Sequence, residues 1–400
     1  MSSVSQPLRH SLYQFPRAFW VLVGATFVTR FGVFVFPFLT LFLTRRGFTA
    51  TDAGLAVGAY SAGGFGAAIV GGWMADRLGR NVTMALASLV GAACMLAFSQ
   101  AESFPWLIAL ALLTGFISEA GNPASSALVQ DLIPAEHRVN AYAVLRMAIN
   151  LGWSAGPAAA GFLAAHSFFW LFIGDAGTSA FFGFVALFCL PKGRPTPKHE
   201  SGWGFALRDM MTNRGFLALA ASQVFLAMTF RQLNTTYTLH FDRCGHDLVT
   251  LGLLQSLNGV IIVACELALL AATRAWPLRY SMGLGYFIMG ACYLLFFFGN
   301  TVVIFAAIMV VFTIGEMMAF SRQSAYLSEL APDNMRGRYG GFMSFSWCIG
   351  SSSSSVLGLP LYEACPNAVW VLCAALGLAS FGCLLVKPNR ATASGVERRL

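Results

Sequence analysis

The feature that most constrains this chain is a succession of apolar runs, each about twenty residues long, that recurs along almost its whole length. A helix of about twenty apolar residues spans the hydrocarbon core of a bilayer. The 400 residues are 57% hydrophobic and only 10% charged, whereas about 25% of the residues of a soluble domain are charged. Lipid must therefore solvate much of the surface, and the sequence predicts an all-α membrane protein with many spans.

Twelve predicted spans fall into two sets of six, separated by the longest polar segment. The N-terminal set is Arg17 to Leu43, Ala53 to Trp73, Val82 to Phe98, Phe104 to Val129, Val139 to Ala164 and Phe168 to Leu190. The C-terminal set is Gly215 to Leu239, Leu248 to Leu270, Leu278 to Phe298, Thr301 to Ser321, Tyr339 to Leu361 and Ala368 to Val386. We expect a six-helix bundle over residues 1–190, a Pro-, Lys- and Arg-rich linker over 191–214, and a second bundle with a short tail over 215–400.

An internal repeat supports this six-plus-six division. The segment from Asp131 to Arg138 follows the fourth predicted span, and the segment from Glu329 to Arg336 follows the tenth. Both begin with an acid, carry Pro at the fourth position and end on Arg. Charged residues inside the spans also correspond approximately, Arg30 with Arg231 and Glu119 with Glu316. We therefore expect the two halves to be pseudo-symmetric.

The distribution of Lys and Arg predicts the orientation in the membrane. With both termini inside, the outer loops hold only Arg45, Arg46 and Arg243. The inner loops and tails hold Arg9, Arg17, Arg77, Arg80, Arg138, Arg274, Arg279, Arg336, Arg338, Lys387 and the basic residues of the linker. Because cytoplasmic loops carry the excess of basic residues, the N-terminus, the linker and the C-terminus are expected in the cytoplasm, at a bacterial inner membrane. The same dispersal explains the net charge of +8 without a nucleic-acid partner.

The loop after the second predicted span carries a specific motif. It reads Gly72-Trp73-Met74-Ala75-Asp76-Arg77-Leu78-Gly79-Arg80-Asn81. This loop resembles the signature G-x-L-a-D-r-x-G-R-k of the major facilitator superfamily, with departures at Met74 and Asn81. The resemblance implies the major facilitator fold, twelve helices in two six-helix bundles with a substrate site at mid-membrane between the halves. The second-half copy, Thr273 to Pro277, is degenerate.

The resemblance also implies an intracellular gate. Asp76 would face the start of the eleventh helix, and Arg80 would pair with Asp131 and latch the outward-open state. The predicted gating set is Gly72, Asp76, Arg77, Gly79, Arg80, Asp131 and Arg138. The alternative is that the Arg residues only obey the positive-inside rule, which explains neither Asp76 nor the glycine spacing.

The fifth predicted span contains Gly152, Gly156, Pro157 and Gly161. These residues resemble the end of the antiporter motif of drug:proton exporters, although Ala143 stands where that motif has a further glycine. The fourth span also lacks the Arg that these exporters carry, which would fall within residues 113–120. Packing of small residues between helices explains the glycines equally well, so the motif leaves drug export open.

Eight ionisable residues fall inside apolar runs, where a charge costs about 2.5–3.5 kcal/mol at a helix centre. They are Arg30, Glu119, Arg146, Asp175, Arg231, Glu266, Glu316 and Arg322. The depths of Glu119 and Arg146 permit a cross-helix ion pair. All eight are structural ties in the alternative interpretation, with Glu266 and Arg322 reaching the interface from helix ends.

A membrane-embedded carboxylate that alternates between an Arg-bound and a protonated state would couple transport to protons. The candidates for this role are Glu119, Asp175 and Glu316. The candidates for lining a substrate cavity are Arg30, Phe34, Arg146, Arg231 and Tyr237. Packing against lipid explains the aromatic members of this set equally well.

The loop after the seventh span holds residue types that bind metals. They are His240, Asp242, Cys244, His246 and Asp247. Their spacing fits no metal template, so we expect a solvated loop. The nine Cys residues are mostly isolated inside apolar runs, which favours neither disulfides nor zinc. No metal and no cofactor is predicted.

The sequence favours a monomeric, proton-coupled secondary active transporter that exports small amphipathic or drug-like molecules by alternating access. A carrier of a specific metabolite or organic anion, held by Arg30 and Arg231, is the first alternative. A membrane-embedded enzyme or sensor is the other class. An enzyme would need a nucleophile or metal constellation, and a sensor would need a sizeable soluble domain. The expected partners are a small molecule, protons and the lipid bilayer.

Overall fold

The computed structural model describes residues 15–134, 137–193, 203–332 and 335–386. These residues form sixteen α-helices and two 3-10 helices, and no strand occurs among them. The α-helices are α1 (Arg17–Phe31), α2 (Val35–Arg45), α3 (Ala50–Leu78), α4 (Arg80–Gln100), α5 (Phe104–Ala120), α6 (Asn122–Leu132), α7 (Arg138–His166), α8 (Phe168–Cys189), α9 (Trp203–Thr212), α10 (Arg214–Arg231), α11 (Thr236–Arg243), α12 (Leu248–Ala272), α13 (Leu278–Ala291), α14 (Val302–Leu330), α15 (Arg336–Ala364) and α16 (Pro366–Leu384). The 3-10 helices are Gln232–Asn234 and Cys292–Phe298.

These helices account for the twelve predicted spans. In the described part of the chain, nine helical segments are long and apolar enough to cross a membrane, and α3 makes a tenth although it bends by 49°. The fifth and eleventh spans are α7 and α15, each of 29 residues. They are long enough to cross but contain more Gly and polar residues, which lowers their hydropathy. Helix α9 lies in the linker.

Three spans are interrupted, which the continuous apolar runs did not predict. The first breaks at residues 32–34 between α1 and α2, and the seventh breaks at residues 232–235 between α10 and α11. The fourth is divided at Gly121 between α5 and α6, where Gly121 keeps helical φ and ψ and Pro123 in the first turn of α6 lacks an N–H. Backbone groups freed inside a membrane need partners from other helices, so each break creates a demand for polar side chains.

Contacts between helices divide the chain into two compact units. The first comprises Met1–Phe38, Ala59–Pro197 and Asp247–Gly259, and the second comprises Leu39–Gly58, Lys198–His246 and Val260–Leu400. Each unit has a core of its own. In the first, Phe19, Leu128 and Leu190 belong to an apolar cluster that joins α1, α3, α4, α6, α7 and α8. In the second, Phe296, Phe305 and Trp370 form the centre of an aromatic cluster.

The outer surfaces of many helices are apolar. Leu267 and Phe298 are each 81% exposed and Val303 is 75% exposed. Exposed Trp residues stand near helix ends, at Trp73, Trp106, Trp170 and Trp276. Indole rings favour the headgroup level of a bilayer, and exposed apolar patches of this kind mark contact with a membrane. The surface is therefore that of a protein solvated by lipid.

Candidate functional site

Arg80 contacts two acidic residues, Asp76 and Asp131. They lie at the end of the first unit where the linker begins. The Nη1 of Arg80 donates to Asp76 Oδ1 at 2.8 Å, and its Nε lies 3.4 Å from Asp131 Oδ2. The side chain of Arg80 is 2% exposed, and that of Asp76 is 55% exposed. Arg80 is the first residue of α4, Asp76 lies near the end of α3, and Asp131 lies near the end of α6. The cluster thus fixes the ends of three helices.

The backbone of the motif explains some of its glycines. Gly79 has a φ of +99°, in the left-handed region that strains any side chain. Arg77 stacks on Trp73, with its guanidinium carbon 4.9 Å from the ring centroid. A Cβ at Gly72 would meet open space, so the structure gives Gly72 no packing contact that requires glycine.

Arg138 caps the end of α6. Its Nε donates to Ile133 O at 3.1 Å, and its Nη2 donates to Gln130 O at 2.9 Å. Basic side chains at a helix C-terminus satisfy free carbonyls and complement the helix dipole. Through these contacts Arg138, the first residue of α7, binds the backbone at the C-terminal end of α6.

Asp175 serves the break in the first span. Its Oδ2 accepts a long hydrogen bond, 3.4 Å, from the backbone N–H of Val35, the first residue of α2. Asp175 lies in α8 and is 7% exposed, and a carboxylate is favourable at a helix N-terminus. One of the three predicted coupling candidates is therefore bonded to the interrupted backbone of another span.

Glu119 lies beside the break in the fourth span. Its Oε2 accepts from Asn122 Nδ2 at 2.7 Å, and Asn122 Oδ1 accepts from Arg30 Nη2 at 3.3 Å. Glu119 and Asn122 are exposed although they lie in a membrane span, where a charge needs water or a partner. These three residues, the Arg30–Asn122–Glu119 chain, join an acid of the fourth span to a base at the end of α1.

Three other charged residues predicted inside the spans lie in three different helices. Arg146 is exposed in α7, Glu316 is half-buried in α14, and Arg231 is half-buried at the end of α10. Glu119 accepts its hydrogen bond from Asn122, and the cross-helix pair of Glu119 with Arg146 stays a prediction.

Phe34 and Tyr237, both predicted to line a cavity, are core residues in this conformation. Phe34 is 5% exposed, and a Cβ at Gly174 would stand 2.7 Å from its ring. Tyr237 is fully buried in the aromatic cluster of the second unit, and its hydroxyl donates to Phe305 O at 3.1 Å. Neither ring is accessible to a substrate here, which corrects the prediction for this conformation.

The first two glycines of α7 seat the interrupted first span. A Cβ at Gly152 would stand 2.7 Å from Arg30 Cβ, and a Cβ at Gly156 would stand 2.5 Å from Phe31 O. Real Cβ atoms do not approach so closely, so α1 and α7 touch at this level only because both positions are glycine. The two glycines therefore pack against Arg30 and Phe31, the residues just before the break.

The other end of α7 packs on α12 within the same unit. A Cβ at Gly161 would stand 3.2 Å from the Cα of Gly252, and a Cβ at Gly252 would collide with Pro157 O. The N–H of Ala158 donates to Ser256 Oγ at 2.8 Å. One helix therefore contacts the first span through Gly152 and Gly156 and the eighth span through Pro157 and Gly161.

The second unit supports its broken span in a similar way. Gly350 in α15 lies against Val224 O of α10, and Gly358 lies against the side chain of Gln232. Gln232 Nε2 donates to Ser354 Oγ at 3.0 Å. The break in the seventh span is thus held by an amide and a hydroxyl.

This support extends the internal repeat seen in the sequence. Gly350 and Ser354 occupy the positions equivalent to Gly152 and Gly156 when the alignment of Asp131 with Glu329 is continued. Gly152 and Gly156 lie against Arg30 and Phe31. Gly350 lies instead against Val224 of α10, before Arg231. Ser354 contacts the break itself through Gln232. The two units differ in the polar group at the break, which is a carboxylate in the first.

The predicted solvated loop after the seventh span is solvated only in part, because Asp247 is exposed whereas His240 and Asp242 lie in α11. His240 is 9% exposed, and its ring nitrogens lie 2.7 Å from Tyr362 Oη and 2.9 Å from Asn300 Oδ1. Asp242 pairs with Arg45 at 2.6 Å. These contacts attach the loop to its unit.

The same loop ends at a helix cap. Asp247 Oδ1 accepts from the N–H of Thr250 at 2.8 Å in the first turn of α12. The hydrogen bonds from Thr250 hold the pKa of Asp247 below its usual value. Within the described ranges, no three His, Cys, Asp or Glu side chains are grouped as metal ligands.

Arg322 is a structural tie, which was the alternative interpretation of the charges inside the spans. It is 4% exposed in α14, and its Nη2 donates to the carbonyl and the hydroxyl of Thr273. Thr273 directly follows α12 and begins the degenerate copy of the gate motif. A buried guanidinium from the tenth span therefore caps the eighth span where the first half has the Arg80 cluster.

Sequence reasoning missed three parts of these sites. Asn122, which joins Glu119 to Arg30, is uncharged and drew no attention, although the Gly121-Asn122-Pro123 sequence is a recognisable breaker. The backbone of Val35 became a donor only because the first span is broken. Thr273 was visible only as part of a degenerate motif.

The sequence is similar to transport proteins over most of its length. Residues 22–355 match the family profile described as Major Facilitator Superfamily. The uncharacterized MFS-type transporter YqjV of Bacillus subtilis is 25% identical over 340 residues, which cover 83% of each chain. A Na(+), Li(+), K(+)/H(+) antiporter of Planococcus maritimus is 26% identical over 364 residues, covering 82% of this chain and 85% of the antiporter. The quinolone resistance protein NorA of Staphylococcus aureus is 26% identical over 227 residues, covering 54% of this chain and 58% of NorA.

Solved structures show the same fold. The peptide transporter POT in complex with sulfate superposes with a TM-score of 0.74 at 16% identity, covering 95% of this chain and 97% of the transporter. A bacterial homolog of the human lysosomal transporter Spinster gives a TM-score of 0.71 at 14% identity, covering 96% and 95%. The predicted fold class, an all-α membrane protein with the major facilitator fold, is confirmed.

The protein is therefore a multi-pass membrane transporter and not an enzyme. It belongs to the major facilitator superfamily, as the motif from Gly72 to Asn81 predicted.

Proposed function

We propose that this protein is a monomeric, proton-coupled secondary active transporter that exports small amphipathic or drug-like molecules by alternating access. The observation that carries this proposal is the Arg30–Asn122–Glu119 chain. It presents an exposed carboxylate inside a membrane span and ties it through one amide to a base of another span. An ionised Glu119 attracts the amide donor, and protonation removes the charge that strengthens this contact.

The chain connects two interrupted spans. Arg30 lies just before the break at residues 32–34, and Glu119 lies just before the break at Gly121. Half-helices that meet at such breaks are the elements of a carrier that can reorient about a fixed site. Gain or loss of a proton at Glu119 therefore changes its hydrogen bond with Asn122, the residue that bonds Arg30 of the first span. Asp175, which holds the N-terminus of α2, and Glu316 in the second half are the other coupling candidates.

Asp76, Arg80 and Asp131 form the gate in this account. Arg80 is shared by two acids, one exposed and one mostly buried, so a small shift of α3 or α6 changes which acid it favours. Gly79 and Arg77 shape the turn, and Arg138 fixes the loop after Asp131. Arg146 and Arg231 are candidates for substrate contacts together with Arg30, because an intramembrane base marks a functional path by default.

The relatives support export and also favour a second candidate. NorA is named for quinolone resistance and matches 54% of this chain. The Planococcus antiporter, which is named for exchange of monovalent cations with protons, matches 82%. Exchange of Na⁺ or K⁺ for protons is therefore the alternative function, and it uses the same carboxylates.

In this proposal the protein lies in a bacterial inner membrane. Its two halves are residues 1–190 and 215–400, and its N-terminus, linker and C-terminus lie in the cytoplasm. The excess of Lys and Arg in the loops on that side supports this orientation.

Purified protein in liposomes with an imposed pH gradient tests the function. The panel contains tetraphenylphosphonium, a fluoroquinolone, Na⁺, K⁺ and an organic anion, with protein-free liposomes and a protonophore as controls. Export predicts gradient-driven accumulation of the lipophilic cation or the quinolone, abolished by the protonophore. Proton release by Na⁺ or K⁺ without any effect of the drugs would select the second candidate. Accumulation of the anion alone would overturn both.

A further inference from the structure

Lys192 and Gly193, just after Pro191 at the apolar end of the sixth span, lie directly on the Arg80 cluster. The carbonyl of Lys192 accepts a hydrogen bond from the backbone N–H of Arg80 at 2.8 Å. Arg80 is the first residue of α4, and the N-cap residue Gly79 offers no side-chain acceptor. The first N–H groups of a helix have no partner within it, so the linker backbone supplies the cap that α4 lacks.

Gly193 is placed so that only glycine fits. Its φ is +77°, and a Cβ there would collide with Arg80 Cγ and stand 2.7 Å from Asp131 Oδ2. The chain therefore lies against both members of the Arg80–Asp131 pair. A left-handed φ and a close approach at the same residue together exclude any side chain.

The linker is anchored on its other side by the core of the unit. Leu190 is 5% exposed and belongs to the same apolar cluster as Ala186 and Leu128. The path from α8 to Gly193 is thus short and fixed at both ends, by Leu190 in the core and by the hydrogen bond to Arg80. It lies against the Cβ and Cγ of Arg80, whose side chain is 2% exposed although it stands at a helix terminus.

We propose that Lys192 and Gly193 are positioning residues of the gate. Docked on α4, they hold Arg80 between Asp76 and Asp131 and favour the state in which the cluster is formed. Displacing these two residues frees Arg80 and shifts the conformational equilibrium of the transporter. A movement of the linker therefore changes the gate through this contact. The proposal rests on the gate described above but is independent of which substrate is carried.

The chain offers a matched control for the decisive substitution. Gly245 has a φ of +78° and open space where a Cβ would stand, whereas Gly193 has a φ of +77° and a collision. Gly193→Ala and Gly245→Ala therefore carry the same backbone strain, and only the first disturbs the Arg80 cluster. Gly79→Ala supplies a milder second variant, because its Cβ would stand 3.3 Å from Lys192 O.

Spin labels at Ala143→Cys and Ser328→Cys, two exposed positions, report the conformational equilibrium as a distance distribution without any substrate. The labels require a background in which the exposed native residues Cys189, Cys265 and Cys365 are replaced. We expect Gly193→Ala to change the ratio of the two distance populations at least threefold, Gly79→Ala to change it in the same direction by less, and Gly245→Ala to leave it unchanged.

A double-mutant cycle separates gate positioning from general damage. In the Arg80→Ala background, Gly193→Ala should have a much smaller effect on the distribution, since the Arg80 side chain that it displaces is gone. Equal distributions for Gly193→Ala and the unsubstituted protein overturn the proposal. An undiminished shift in the Arg80→Ala background also overturns it. Failure of proton coupling in liposomes would leave these distance measurements, and this proposal, untouched.

Discussion

Asp175 in α8 accepts a hydrogen bond from the backbone N–H of Val35, across 3.4 Å, at the point where the first span resumes as α2. The equivalent break in the seventh span is held by the side chain of Gln232, which bonds Ser354 and Thr236. The two halves repeat their packing but differ in charge at the break. The first half therefore carries a titratable group where the second half carries a neutral amide.

Substitution of Asp175 should separate hydrogen bonding from charge. Asp175→Asn keeps an oxygen that can accept from Val35, whereas Asp175→Leu leaves a buried N–H without a partner, at a cost of about 1–3 kcal/mol. We expect the Leu variant to unfold at a lower temperature than the Asn variant, by about 2–4 °C for each kcal/mol in a domain of this size. Thermal unfolding in detergent measures this, and identical transitions would remove Asp175 from the support of α2.

The gate predicts loss of transport without loss of fold. The Asp76 side chain is 55% exposed, and an exposed ion pair contributes about 0–1 kcal/mol to stability. Asp76→Asn should therefore slow transport severalfold while the amount of inserted protein stays nearly unchanged. Glu102→Gln, at another exposed acid, is the control and should transport normally. Normal kinetics in Asp76→Asn would count decisively against a gating role.

Substitution of a glycine on the packed face of α7 should lower stability and transport by a steric clash. Gly152→Ala places a methyl group 2.7 Å from Arg30 Cβ, whereas Gly24→Ala in α1 meets open space. The control should be neutral or gain up to about 1 kcal/mol in helix propensity, and Gly152→Ala should lower both the unfolding temperature and the transport rate. Gly350→Ala should show the same loss in the second half. Equal behaviour of Gly152→Ala and Gly24→Ala would show that α1 and α7 do not pack as described.

Hydropathy and one loop motif were enough to predict most spans and the family, because membrane insertion imposes a long apolar run on most crossing helices. The repeat was visible in the matching segments after the fourth and tenth spans. The breaks within spans were harder to predict from the sequence. Phe34 and Val35 at the first break are as apolar as any helical residue. The break depends instead on a hydrogen-bond partner from another helix, which the sequence does not show. The partner of Arg322 was also hidden from the sequence. Thr273 is distant in sequence, and only the fold brings the two residues together.

The orientation predicts which cysteines react from outside intact cells. Cys365, exposed between α15 and α16, should react with a membrane-impermeant maleimide. Cys244 should react more slowly at neutral pH, because burial raises the pKa of its thiol and leaves less of the reactive thiolate. A cysteine at Ser201→Cys in the linker should react only after the cells are permeabilised. Ready labelling of that linker cysteine in intact cells would reverse the assignment.

The central claim is that a membrane-embedded glutamate carries the coupling proton, and substitution by Gln tests it most directly. Gln keeps the shape of Glu119 and its hydrogen bond from Asn122 but cannot titrate. In liposomes, Glu119→Gln is predicted to abolish substrate accumulation driven by a pH gradient while downhill exchange continues, and Glu316→Gln is the parallel measurement in the second half. If both variants still concentrate substrate in response to the pH gradient, these glutamates are structural ties and the account is contradicted.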